Sequence, residues 1–391
     1  PRQPVKKTCP FLHLLATLQA GSERIIYRKC QRKGYYMPEN VYFIEASDNE
    51  KDEVLCEKLQ DLIRTKDLLE FVADKDITAI KTHFGESPDL GFARPRFVKM
   101  LGQEVQGKGG APFLTETSTL YKGNRDNAVK HIAHAHAQGF DFAATGMPII
   151  MADGLFGDEE YAMPIKGKIY TSVRIAALLA KCNALIALSH FTGHLAAGFG
   201  ATLKNLGMGC ASRKGKMEQH STSKPKINKK NCTGCGVCAA WCPQDAIALE
   251  DGHAKIDSVR CIGCGECLAM CRFDAVKYNW GATYEDLQKK IVEHALGVYS
   301  LHHEKSLYIN IATRISKDCD CMGHSFKKIA PDVGILISRD PVAVDAASLD
   351  LVEERTGKTI PQMAYDIPYR VQLEYAKELG FGSPGYSLIT V

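Results

Sequence analysis

The sequence predicts an α/β fold: a mostly parallel sheet with helices on both faces, interrupted by a small cysteine-rich α+β unit. Three observations carry that expectation. Short apolar, β-rich runs alternate with amphipathic helical patterns from residue 41 to residue 190, as strand–helix–strand units of a parallel sheet do. The alternation stops at a polar stretch followed by eight closely spaced cysteines. It resumes with SLYINIAT (306–313) and GILISR (334–339). A sheet that resumes after a foreign segment implies an insertion, not a terminal fusion.

The bulk numbers narrow the class. At 391 residues the chain is long enough for two or three domains. Its charged and apolar fractions are ordinary for a soluble protein. The longest apolar run, AALLAKCNALIAL, is broken by Lys181, so no membrane partner is expected. The net charge of +4 is deceptive. Residues 1–36 hold eight Lys/Arg against one Glu, which leaves the remainder net acidic. Nucleic-acid binding by the main body is therefore not expected. Of 15 cysteines, those outside the two runs are scattered without a disulfide framework. That usage points to a reducing cytoplasm, in an anaerobe.

In chain order, residues 1–36 show no periodicity, and FLHLLATL lacks both a cap and a cleavage site. Met37 precedes the first clear strand, so 1–36 is expected to be upstream or added sequence. The α/β domain is expected over 37–225 and 281–391, with the insertion at 226–280. VYFIEA (41–46) reads as a strand. Ser47 or Asp48 then caps a helix with Val54, Leu55, Leu59, Leu62, Ile63 and Leu69 at helical spacing. ITAIKTHF (77–84) and PFLTETST (112–119) are further strands, separated by a helix after Pro95. NRDNAVKHIAHAHAQG is a helix stopped by Gly139. PIIMADG (148–154) and ALIALSH (184–190) read as strands with the helix VRIAALLAKC between them. RKGKMEQHSTSKPKINKK (213–230) carries seven Lys/Arg against one Glu and reads as a linker. DPVAVDAASLDLVEERTG is a helix capped by Asp340, with Pro341 in the first turn and Gly357 at its stop.

The cysteine runs, CTGCGVCAAWCP (232–243) and CIGCGECLAMC (261–271), each follow C-x2-C-x2-C-x3-C. This spacing resembles two-cluster bacterial ferredoxins, in which the fourth cysteine of each run ligates the other cluster. The resemblance implies a small α+β ferredoxin-like 2x(4Fe–4S) domain. Cys232, Cys235, Cys238 and Cys271 would hold one cluster; Cys261, Cys264, Cys267 and Cys242 the second. Zinc is the competing reading, but zinc sites close with two ligand pairs, not with a run of three plus one. Residues 226–280 carry seven Lys/Arg and six Asp/Glu. Such a unit suits an internal relay; a neutral exposed surface stays open as the alternative.

Outside the runs, Cys319 and Cys321 in DCDCMGH point the same way in extended chain. With Cys210 they are candidate ligands for a third metal or Fe–S cluster; buried free thiols are the alternative, and a reducing compartment argues against a disulfide. His190 and His194 end an apolar strand, where parallel α/β sheets bind ligands. Lys204 and Asn205 follow as candidates to hold an anionic group. THFGE places His83 and Glu86 at a second strand end. Arg94 and Arg96, and Tyr121, Lys122 and Arg125, are further polar candidates. His131 and His134 share a helical face read as packed or solvated, and Asp153 reads as a turn former.

Taken together, THFGE, TLYKGNRDNAVKH, IIMADG, SHFTGHLAAGFGATLKNLGMGCASRKGK, DCDC and DPVAVDAASLDL resemble the family called domain of unknown function 362. The resemblance covers nearly all of 37–391. It implies an α/β iron–sulfur protein and leaves the chemistry open. The expectation is an iron–sulfur oxidoreductase, in which two 4Fe–4S clusters relay electrons from a partner protein to His83, His190, His194, Lys204 and the Cys210/Cys319/Cys321 group. A small anionic substrate would be reduced or rearranged there. The alternatives are a non-enzymatic electron carrier or adaptor in a redox complex, and a metal or cluster assembly protein.

Overall fold

Among the described residues nine strands assemble into one sheet. In the computed structural model the described residues are 17–20, 23–28, 39–86, 91–121, 123–220, 224–242, 244–261, 266–277, 283–319 and 327–391. The strands are β1 (Thr17–Ala20), β2 (Glu23–Arg28), β3 (Glu39–Glu45), β4 (Ile77–Lys81), β5 (Ala111–Thr115), β6 (Ala184–His190), β7 (Ser306–Ala312), β8 (Gly334–Ser338) and β9 (Tyr386–Thr390). Their order is β1-β2-β9-β3-β8-β7-β6-β4-β5.

The sheet is mixed rather than mostly parallel. β5, β4, β6 and β7 run parallel, as do β9 and β3. β8 is antiparallel to both its neighbours, and β2 to both of its own. The sequence pattern did not distinguish these arrangements, because a strand buried on both faces is uniformly apolar whichever way it runs.

Alternation along the strands divides the core in two. Ala79, Leu185, Ala187, Tyr308, Ala312 and Leu336 face one layer. That layer includes helices α4 (Thr202–Gly207), α6 (Tyr284–His302), α7 (Pro341–Thr356) and α8 (Val371–Glu378). Ile80, Leu114, Ile186, Leu188, Ile309 and Ile335 face the other. Its helices are α1 (Asp52–Thr65), α2 (Pro95–Gly107) and α3 (Ala128–Ala137).

Several local expectations change. The first helix starts later, with Lys51 as its N-cap. VRIAALLAKC falls in a strand, Ser172–Ala176, and a following 3-10 turn, because the strand pairs antiparallel with Glu160–Pro164. PIIMADG contributes only a bridge, Leu114 to Ile149. The expected linker begins as helix α5 (Arg213–His220), with Arg213, Lys216 and Met217 buried. Arg213 and Lys216 are thus packed partners, while Lys224, Lys226, Lys229 and Lys230 are exposed.

Between α5 and α6 lie two short ladders, Lys226–Ile227 with Val276–Lys277 and Ile247–Glu250 with His253–Ile256. Helices Val237–Ala240 and Glu266–Met270 accompany them. Among the described residues no group of three or more His, Cys, Asp or Glu could hold a metal ion. On that finding the expected ferredoxin-like 2x(4Fe–4S) domain is corrected, and the fold is a mixed α/β fold. Among the described residues no helix is long and apolar enough to cross a membrane.

Asp345 on α7 joins the layer to the sheet. Its carboxylate accepts from the amides of Thr202 (2.9 Å) and Leu203 (2.8 Å), and from Asn310 Nδ2 on β7 (2.8 Å). It thus caps α4, which has no side-chain cap of its own. Burial pushes this carboxyl up to about 7, against the lowering effect of Asn310 and the two amides. The folded state therefore holds the proton more tightly than the unfolded chain. This contribution to stability is full below about pH 4 and is lost as pH rises through about 7. Urea unfolding of wild type and Asp345→Asn should show it: relative to the variant, wild type loses on the order of a few kcal/mol between pH 4 and pH 7. Parallel pH profiles would show that Asp345 does not titrate in this way.

Candidate functional site

The carboxyl ends of β4, β5 and β6 gather a buried polar cluster that reaches from Asn205 on α4 to His131 on α3. Register sets Lys81, the last residue of β4, between Thr115 and Ala187. Its ammonium pairs with Glu116 and donates to Asn205 Oδ1 at 2.8 Å. The Asn205 amide donates in turn to Ser189 Oγ (3.0 Å) and the Leu188 carbonyl (3.3 Å). The second Glu116 oxygen lies 3.7 Å from Arg125 Nη1 and 3.9 Å from His131 Nε2. Arg125 is buried, and it donates to Glu86, to Tyr121 OH and to His83 Nε2 (3.0 Å). Burial, with the Arg125 and Lys81 charges beside it, holds His83 well below the ordinary histidine range. His83 is therefore neutral.

A second row supports the first. Lys216 donates to Thr117 Oγ1 (2.6 Å), the Ser118 carbonyl (2.8 Å) and the Ala211 carbonyl (2.9 Å), and burial pushes it down to about 8. Asp153 accepts from the Ser118 amide at 2.7 Å and is pushed up to about 6 by burial. Gly209 lets the chain pass close by: a Cβ there would stand 2.4 Å from the Asn205 carbonyl oxygen and 2.9 Å from Lys81 Nζ.

Lys204 differs from the other two lysines. It projects from α4, is only half-buried, and donates to Cys319 Sγ at 3.3 Å. Burial pushes its ammonium down to about 8; Arg125 and Lys81 push the same way and Glu116 opposes them. His194 sits within its field. Burial, then the charges of Lys204 and His220, hold His194 well below its ordinary value, and its Nδ1 accepts from the amides of Ala196 and Ala197.

The structure thus sets both His83 and His194 within the field of the Lys204 charge. His190 lies apart. It projects to the opposite face, where its Nε2 donates to the Thr313 carbonyl at 2.7 Å, and burial holds it at about 4. Glu86, Tyr121 and Arg125 join the cluster; Lys122 lies outside the described residues. Sequence reading missed Lys81, Glu116 and Lys216, and read His131 as a packed or solvated face. An acidic residue closing the apolar strand APFLTE was the available signal.

The expected third metal or cluster is also corrected, since no such ligand group exists among the described residues. Cys210 is buried in the apolar core with its thiol pushed up to about 11 by burial. Cys319 is disulfide-bonded rather than a free thiolate, and Cys321 lies outside the described residues. In the cysteine runs, Cys232, Cys235, Cys238 and Cys271 line one pocket. The sulfurs of Cys232, Cys242 and Cys271 accept backbone N–H bonds from Ala254, Ala246 and Ala275 at 3.2 to 3.3 Å. Cys261 is half-buried and Cys267 buried; Cys264 lies outside the described residues. Among the described residues these sulfurs do not form a metal-ion ligand group. Spacing had fixed which residue types were available, not how their sulfurs would converge. The two 4Fe–4S clusters and the iron–sulfur electron relay, with the functional readings built on them, are withdrawn accordingly.

Glu116 compensates two buried cations. Glu116→Gln should cost about 3–5 kcal/mol of unfolding free energy, the range for removing one partner of a buried ion pair. Urea denaturation measures it; a loss under about 1 kcal/mol would mean that water already screens the pair.

The family described as Domain of unknown function (DUF362) matches residues 78–350. No curated protein matches. Among solved structures, the chain is similar to the lactate racemase apoprotein from Thermoanaerobacterium thermosaccharolyticum, at 10% identity and a TM-score of 0.38, over 77% of this chain and 55% of that one. It is similar to a protein from Thermotoga maritima at 10% identity and a TM-score of 0.42, over 80% of this chain and 60% of that one. The chain spans little more than half the length of either, and likenesses this distant carry no argument about activity. The family match takes in well over half of the chain, including Lys81, Glu116, Arg125 and Lys204, and the chain therefore belongs to the DUF362 family.

Proposed function

We propose that the α/β domain is an enzyme that binds a small anionic molecule at the strand ends and moves a proton on it with Lys204. The carrying observation is the contrast among three lysines. Lys81 is held by Glu116 and Asn205, and Lys216 by three oxygens. Lys204 has a sulfur as its hydrogen-bond acceptor and is not fully buried. A lysine near 8 is a competent acid at neutral pH and a competent base just above it. Neutral His83 and His194 add no competing charge.

A second reading, a binding adaptor without chemistry, is favoured by the exposed apolar side chains of Val129, Leu155 and Phe156. These lie together because the Ala128 amide donates to the Leu155 carbonyl. Such patches mark protein-binding surfaces when they are large.

The two readings separate at Lys204. Competitive acetylation, read by mass spectrometry across pH, should place its pKa near 8. Small carboxylates and phosphate esters should protect it, and their affinity should fall as pH rises through about 8, where the ammonium is lost. Lys204→Met should weaken that binding at least about tenfold, the effect of one charge-assisted hydrogen bond. Titration of Lys204 with the surface lysines, together with no anion protection, would sink the enzymatic reading and leave the adaptor.

A further inference from the structure

Just beyond β6 the chain doubles back before it enters α4. Thr192–His194 and Gly198–Gly200 form a short antiparallel ladder, in which Gly200 stands opposite Thr192, Phe199 opposite Gly193 and Gly198 opposite His194. Successive residues of a strand face opposite sides, and residues that stand opposite each other share a side. Phe191 and Phe199 stack on one another at 5.7 Å. Thr192, next to Phe191 in the chain, is turned the other way and faces Gly200.

The three glycines of this ladder are not equivalent. A Cβ on Gly193 would stand 2.3 Å from the Lys317 carbonyl oxygen, and one on Gly198 2.4 Å from the Tyr369 Cβ. Close packing accounts for both. At Gly200 the nearest atoms are side-chain ends: Thr192 Oγ1 and Lys204 Cδ, each 3.3 Å from the Cβ position, and Lys204 Nζ at 3.8 Å. The side chain that Gly200 lacks thus leaves a niche walled by a hydroxyl and an ammonium. Thr192 is 3% exposed, and among the described residues its hydroxyl has no hydrogen-bond partner. Buried hydroxyls are ordinarily satisfied by protein, water or ligand. Across the niche, the Lys204 ammonium donates to Cys319 Sγ. Sulfur is a weak acceptor, and an ammonium carries three donors. An oxygen in the niche is within a small shift of hydrogen-bonding distance from the hydroxyl, and the flexible tip of the lysine closes the rest. Donors from two sides suit an oxygen that carries negative charge.

We infer that Thr192 is a second binding residue of the Lys204 site: its hydroxyl donates to one oxygen of the carboxylate or phosphate group whose charge the Lys204 ammonium takes up, and the bare Gly200 is the seat of that oxygen. The inference rests on the reading of Lys204 as an anion-binding lysine and adds a limit on shape. With neighbours at 3.3 Å the niche has room for a single heavy atom, so the ligand presents an oxygen there and not a branched substituent.

Isothermal titration of the full chain with inorganic phosphate and with malonate tests this, beside the pKa of Lys204 read by competitive acetylation. Wild type should bind at least one anion saturably at pH 7, phosphate alone marking a phosphate ester and malonate alone a carboxylate. Thr192→Val, nearly isosteric, should weaken that binding at least about tenfold, the effect of a hydrogen bond to a charged group, and leave the Lys204 pKa where it is in wild type. Thr192→Ser, which keeps the hydroxyl, should restore binding. Gly200→Ala, which puts a methyl where the oxygen sits, should weaken it as Thr192→Val does. Thermal melts check folding, and Gly200→Ala carries the test where Thr192→Val fails to fold. Wild-type affinity in Thr192→Val or in Gly200→Ala would overturn the inference, leave the hydroxyl to water and leave the Lys204 proposal standing. A Lys204 pKa that moves in Thr192→Val would overturn it too, because the hydroxyl would then act on the lysine and not on the anion. No saturable binding of either anion by wild type would overturn it together with the reading on which it rests.

Discussion

One buried carboxylate, Glu116, makes the rest of the strand-end cluster possible. Lys81 and Arg125 are both almost fully buried, and neither could be held there uncompensated, since an unpaired buried charge costs several kcal/mol. Glu116 gives one oxygen to Lys81 and turns the other toward Arg125 and His131. Glu86 takes up the remainder of Arg125. With those charges balanced, the field left over falls on Lys204, whose own position is fixed from elsewhere, by Asp345 at the start of α4. The depressed Lys204 follows from burial beside cations that are already spoken for. It does not follow from any partner of its own.

The pleat decides which strand-end residues can work together. Successive residues face opposite layers, so Lys81 and His83 look one way and Thr82 the other; Ser189 and His190 divide likewise. Reading His83, His190, His194 and Lys204 as a single catalytic group treats the end of a strand as a point. It is an edge with two sides. His190 therefore belongs with Thr313, whose carbonyl it holds, and not with Lys204.

Much of the α/β frame was legible in the residues, because strands buried on both sides and capped helices leave strong signals. ALIALSH, SLYINIAT and GILISR are strands at nearly the expected bounds, and Asp340, Pro341 and Gly357 bound α7 as their chemistry requires. Direction was not legible, since GILIS reads the same parallel or antiparallel. Residues 24–28 were not legible either: their backbone pairs with Tyr386–Thr390, a long-range contact without a local pattern. Lys216 was hidden for a different reason. A lysine among six other basic residues reads as solvated, and only the fold reveals that three oxygens converge on it. The cysteine runs failed in the opposite sense, with a strong local pattern whose three-dimensional consequence was assumed.

The two sides of the strand ends also differ in what pH can do to them. On the α4 side, charge is carried by a lysine near 8 among neutral histidines, so a modest rise in pH empties it. On the α1–α2 side it is carried by the guanidiniums of Arg94 and Arg314, which do not titrate in the working range. Proton transfer needs the lysine's kind of charge, because a group that holds its proton too tightly cannot return it. A site made only of arginines would bind and do nothing more.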